Sequence, residues 1–162
     1  MNQQFVQIAD EIKLESGRVL LEPTLSYRVF GNMLVNKSTP VIWVCHALTA
    51  NDDPFDWWPG LFGENDLFNP QDYTIICVNM IGSCYGSVGP LSENPETGEP
   101  YYHDFPSITV KDNAKTFSKL ADKLGIDQID MLIGASLGGQ VALQWAVLEP
   151  SRFRSASFIA TS

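Results

Sequence analysis

The chain has 162 residues, 44% of them hydrophobic and 18% charged. That is the make-up of one ordinary globular domain with a sizeable core, and of neither a disordered nor a fibrous chain. The formal net charge of -9 speaks against nucleic acid and anionic membrane as partners, since basic patches hold both. No apolar run approaches bilayer-spanning length, and the polar start Met1-Asn-Gln-Gln lacks the basic and apolar regions of a signal peptide, so a cytoplasmic location is expected.

Residues 5–14 and 24–30 partly alternate in polarity and are punctuated by Ser16-Gly17-Arg18 and Gly31-Asn32; they read as early antiparallel strands. Residues 40–45, Pro-Val-Ile-Trp-Val-Cys, are continuously apolar and β-branched, as in a strand buried on both faces of a sheet. That run closes at His46-Ala-Leu-Thr49. Residues 51–70 carry acids, prolines and the pair Trp57-Trp58 and predict a loop with a short helix. Residues 73–78 repeat the buried-strand pattern. The connection over residues 79–106, dense in Gly, Pro, Ser and Tyr, is too long to be ordinary, and such loops frequently carry function.

A helix is predicted from Thr109, with Asp112 in its first turn, an apolar stripe of Ala114, Phe117, Leu120, Ala121 and Leu124, and Gly125 to stop it. Residues 129–133 read as another buried strand. Leu137, Val141, Gln144/Trp145 and Leu148 then recur at helical spacing up to Pro150, and residues 154–161 read as a further strand. Strands alternating with helices predict a mainly parallel α/β sheet with helices on both faces. Cys45, Cys77 and Cys84 form neither an even framework nor a CxxC pair, so reduced, partly buried thiols are expected. The two histidines lie far apart in sequence, and no metal is assigned.

Between the last buried strand and the last helix lies Gly134-Ala-Ser136-Leu-Gly138. Gly-x-Ser-x-Gly alone arises by chance in roughly one chain in twenty of this length; its position at a strand-to-helix junction is what makes it specific. In such a nucleophile elbow the serine stands at the tip of a strained turn, and side chains two residues to either side would collide. The backbone N–H of Leu137 then opens the helix, where it can face a developing oxyanion. A serine hydroxyl needs a base, usually a histidine oriented by a carboxylate, and in this arrangement both follow the serine in the chain. The 26 residues after Ser136 contain Glu149 as their only acid and no histidine. His46 and His103 both precede the serine, out of the usual order. The better reading of residues 46–49 is an oxyanion loop whose N–H groups join that of Leu137, with His46 a hydrogen-bonded loop histidine and His103 an exposed one.

The sequence resembles the homoserine O-acetyltransferase family of the α/β-hydrolase superfamily over nearly its whole length. The resemblance rests on His46-Ala-Leu-Thr49, Cys77-Val-Asn79, Gly82-Ser-Cys-Tyr-Gly-Ser-Val-Gly-Pro90, Asn94-Pro-Glu-Thr-Gly98, the segment from Asp104 to Asp112, and Gly134-Ala-Ser-Leu-Gly-Gly139. It implies an incomplete α/β-hydrolase fold, with residues 1–162 forming the N-terminal part of the domain and the lid and last strands lacking. It also implies ping-pong transfer of acetyl from acetyl-CoA, a substrate rather than a cofactor, to the hydroxyl of L-homoserine in methionine biosynthesis. Ser136 maps as the nucleophile and the backbone amides of Leu48 and Leu137 as oxyanion donors. The catalytic Asp and His of the family lie beyond the point where this chain stops, so these 162 residues alone are expected to be weakly active at best. An open sheet edge after the final strand implies exposed apolar surface and a homo-oligomer or a covering segment. Two alternatives stand beside this one: another serine acyl-transfer enzyme (an esterase, or a transferase using succinyl-CoA or an L-serine acceptor), and a non-catalytic interaction module.

Overall fold

In the computed structural model, which describes residues 2–31 and 39–162, the chain is built on a six-stranded sheet of order β1-β4-β6-β5-β7-β8. The strands are β1 Gln4–Gln7, β4 Thr24–Phe30, β5 Val41–Cys45, β6 Thr74–Val78, β7 Met131–Ala135 and β8 Ala156–Ile159. β6, β5, β7 and β8 run parallel, while β4 pairs antiparallel with both β6 and β1. The parallel expectation therefore holds for four neighbouring strands, and the early strands are antiparallel, as their alternation predicts.

The two unbroken apolar runs lie in the sheet centre because they are needed on both faces. In β5, Trp43 and Cys45 join one core while Ile42 and Val44 join the other. In β6, Ile76 and Val78 oppose Ile75 and Cys77 in the same way. The first face is covered by α2 Val110–Lys123 and α3 Leu137–Leu148, which set Phe117 and Trp145 against Trp43. The second is covered by the short α1 Pro54–Trp57 and the aromatic segment beyond it, where Phe62 stacks on Phe68.

One detail differs from the expectation. Residues 5–14 are not one strand: β1 ends at Gln7, and β2 Glu11–Lys13 leaves the main sheet to pair with β3 Val19–Leu21 across a turn at Gly17, whose φ is 84°. The expected break at Gly31-Asn32 is only half visible, since Asn32 lies outside the described residues. Leu148 is 39% exposed, beside Leu143 and Val147 on the outer face of α3, because Val141, Ala142 and Trp145 already fill the inward side.

The start of α2 is fastened as well as capped. Thr109 and Asp112 form a capping box, each side chain accepting from the other's backbone N–H at 3.1 and 3.0 Å. The second oxygen of the Asp112 carboxylate accepts the N–H of Glu15 at 3.0 Å, and Glu15 reaches back to Thr109 Oγ1 at 2.7 Å and Lys111 Nζ at 2.9 Å. Those two contacts hold the Glu15 carboxyl below its ordinary range, the hydroxyl first and the ammonium second. Asp112 is fully buried, so Asp112→Ala removes one arm of the capping box and takes the acceptor from the partly buried N–H groups of Thr109 and Glu15. We expect a loss of about 2–3 kcal/mol in denaturant unfolding; a loss under about 0.5 kcal/mol would show the carboxylate to be dispensable.

Candidate active site

β7 ends at Ala135 and α3 begins at Leu137, leaving Ser136 alone at the corner with φ 52° and ψ -122°. A non-glycine residue there stores on the order of 1–3 kcal/mol of backbone strain and persists only where its surroundings impose it. The surroundings do so through close packing. A Cβ on Gly134 would be driven into the carbonyl of Gly138, and one on Gly138 into the carbonyls of Cys45 and His46. The start of α3 thus lies directly against the end of β5, and the Ser136 side chain is left exposed. The N–H of Leu137, as a first helical residue, has no partner within its own helix.

β5 runs into the segment 46–49. His46 is 1% exposed, and its two ring nitrogens are both engaged. Nε2 accepts the N–H of Met80 at 3.2 Å, so the proton must reside on Nδ1, which donates to the carbonyl of Ala47 at 2.7 Å. Burial holds the imidazole below the usual histidine range, against smaller opposing effects of the Ala47 carbonyl and Asp52. A neutral ring with no lone pair to spare cannot serve as the base for Ser136. His103 is exposed on a 3-10 turn, Tyr102–Asp104, within the long loop. Glu149 is occupied elsewhere: it accepts from Ser118 and Trp145 at 2.5 and 3.1 Å and pairs with Arg152 at 2.6 Å. It also lies a whole helix from the serine, roughly 18 Å away along α3.

Beside the elbow opens a cleft of about 480 Å³. Leu48 and Leu137 line it on the side of the elbow, Met80, Phe105 and Ile108 are among its other apolar residues, and the exposed Cys84 is also part of its lining. The long loop over residues 79–106 supplies most of the cleft wall, which gives a physical reason for its length. The wall is fixed by a buried polar network invisible in the sequence, because its members are far apart there. Asp52, 1% exposed, accepts from Gln3 Nε2, Ser26 Oγ and Arg28 Nε at 3.0, 3.1 and 3.2 Å. The carbonyl of Tyr85 in turn accepts from the Gln3 and Asn79 side-chain amides at 2.7 and 3.0 Å. Ser87 donates to the Asn79 carbonyl at 2.5 Å and accepts the Ser26 N–H at 3.0 Å.

Of the thiols, Cys45 and Cys77 are buried, and burial pushes both well above the ordinary thiol range. Cys84 is exposed, since it sits at a loop tip and not in the sheet. Among the described residues no group of three or more His, Cys, Asp or Glu side chains is placed to hold a metal ion, and no helix is long and apolar enough to cross a membrane.

A mainly parallel sheet in which an inner strand turns sharply through an exposed serine into a helix is the α/β-hydrolase architecture, and residues 40–162 match the α/β hydrolase fold family, to which the chain belongs. Within that class the resemblance is closer to one kind of enzyme. The homoserine O-acetyltransferase of Cyclobacterium marinum is 46% identical over 162 residues, an alignment taking in 100% of this chain and 46% of that protein. The structure of a homoserine O-acetyltransferase from Bacillus anthracis superposes with a TM-score of 0.82 at 28% identity, covering 94% of this chain and 45% of that one. An acetylester hydrolase from Corynebacterium glutamicum shares the fold, with a TM-score of 0.85 at 23% identity over 99% of this chain and 44% of its own. The chain therefore spans somewhat less than half the length of these relatives.

Proposed function

We propose that the chain carries the nucleophile and oxyanion half of an acetyltransferase site, in which Ser136 takes acetyl from acetyl-CoA and passes it to the hydroxyl of L-homoserine. The observation that carries this reading is Ser136 itself, exposed at a left-handed corner that packing against β5 enforces. Its Oγ attacks the thioester carbonyl while a base removes its proton, and the oxyanion that forms is held by the amides of Leu48 and Leu137. Collapse expels CoA as the thiol, with the proton returned by the same base. The homoserine hydroxyl then attacks the acetyl-serine, its proton passes to the base and on to Ser136 Oγ, and O-acetylhomoserine leaves. Since His46 and Glu149 are committed elsewhere, the base and its carboxylate partner come from outside these residues. The reading places the protein in methionine biosynthesis in the cytoplasm. The exposed Leu143, Val147 and Leu148 of α3 and Phe158 and Ile159 of the edge strand β8 support a homo-oligomer or a covering segment.

The test is mass spectrometry of the intact gene product after mixing with acetyl-CoA or a fluorophosphonate. We expect one adduct, on the peptide containing Ser136, that Ser136→Ala abolishes. Chasing the acetyl form with homoserine, serine or water identifies the acceptor, and retention of the adduct in Ser136→Ala would sink the assignment.

A further inference from the structure

The geometry assigns His46 as a positioning residue: by holding the Ala47 carbonyl it aims the Leu48 amide at the oxyanion. This rests on the proposed role of Leu48. The carbonyl of Ala47 and the N–H of Leu48 belong to one peptide unit, which is planar and trans, so the two groups point in opposite directions. Whatever fixes the carbonyl therefore fixes the amide. Two donors converge on that carbonyl, His46 Nδ1 at 2.7 Å from the buried side and the N–H of Ala50 at 3.0 Å from within the loop. With the oxygen drawn toward the buried ring, the Leu48 N–H is turned away from it. The far side of the ring is anchored in turn by Met80, the first residue of the cleft wall after Asn79.

The orientation of the ring is imposed and not chosen. A backbone N–H can only donate, so Met80 keeps Nε2 unprotonated and makes Nδ1 the donor. The same ring thus couples the oxyanion loop to the floor of the cleft. An imidazole is one of few side chains that can span both partners; asparagine reproduces its near nitrogen and glutamine its far one.

That distinction supplies the experiment, carried out on the intact gene product with p-nitrophenyl acetate as acyl donor. His46→Asn retains the donor to Ala47 and is expected to keep kcat within about 5-fold, whereas His46→Gln retains only the reach to Met80 and is expected to lose about 30- to 100-fold in kcat at unchanged KM, because a misaimed oxyanion donor acts in the transition state alone. Thermal melting is followed alongside, since each variant forfeits one buried hydrogen bond and a purely structural role would make kcat follow melting temperature. Equal kcat in the two variants, or a loss confined to KM, overturns the assignment. Should either variant fail to fold, Ala50→Pro removes the other donor from the same carbonyl. With the carbonyl then left to His46 alone, kcat is expected to stay within about 5-fold with KM kept, and a loss as large as that expected for His46→Gln overturns the assignment, since Ala50 would then be what aims the amide. Absence of any Ser136 adduct on the unaltered protein is a different failure, that of the nucleophile itself.

Discussion

Gly138→Ala is expected to slow acylation of Ser136 about a hundredfold while leaving most of the fold standing. The added methyl has no side chain to push aside: it meets the carbonyl oxygens of Cys45 and His46, both fixed by the centre of the sheet and its loop. Relief comes only by moving the start of α3 away from β5, which carries the Leu137 amide and Ser136 with it. A shift of about 1 Å at reacting groups costs on the order of a hundredfold in rate, and overpacking of this kind costs about 1–3 kcal/mol in stability. Gly139→Ala is the comparison, for there the atoms nearest the methyl are Cβ, Cγ2 and Oγ1 of Thr161 at 2.7–3.0 Å, so relief displaces Thr161 and not the contact with β5. Rates of Ser136 labelling with a fluorophosphonate, set beside unfolding midpoints, separate the two effects. If Gly138→Ala labels as fast as the parent, the close contact between elbow and β5 is not what positions the serine.

Trp145→Ala is expected to cost the most in stability, about 3–5 kcal/mol. Trp145 is fully buried and meets Trp43 and Phe153 edge-on, with ring centroids 5.0 Å apart in each case, and Phe117 at 6.2 Å. Its Nε1–H also donates to Glu149 at 3.1 Å, so truncation leaves a cavity joining sheet, α2 and α3 and removes a donor from a carboxylate already shared with Ser118 and Arg152. Against a total stability of about 5–15 kcal/mol for a domain of ordinary size, that is a large fraction. Leu143→Ala, on the exposed face of the same helix, should stay within about 0.5 kcal/mol. Urea unfolding of the three proteins decides it, and a Trp145→Ala midpoint matching that of Leu143→Ala would remove Trp145 from the centre of the core.

The parts of the fold legible in the sequence are those where one physical demand dominates. β5 and β6 must be apolar on both faces, and no other element needs an unbroken β-branched run. The α2 stripe and its Gly125 stop follow from helical period and a left-handed exit, φ 69° in the structure. The elbow was readable because sterics leave glycine no substitute on either side of the serine. β3 was not legible, since Val19–Leu21 is too short to show a period, and the inward face of α3 was not, because that helix is apolar almost all round and its pattern could not name a face. In the site, the carboxylate of Asp52 looked like part of an acidic loop. Only the fold brings Gln3, Ser26 and Arg28 to it. His46 was recognisable as a loop histidine, but its second partner, Met80 just past the end of β6, is brought to it only by tertiary structure.

The network around Asp52 bears on how ligands are accommodated. Because the Tyr85 carbonyl is held by the Gln3 and Asn79 amides and Asn79 is tied to Ser26 of β4 through its side chain and its backbone N–H, the backbone of this rim cannot swing open without breaking several polar bonds at once. If the cleft takes the acyl group as proposed, adjustment to a bulkier one falls to rotation of individual residues such as Met80 or Phe105. The cleft thus sets a few rotatable side chains against a rigid rampart.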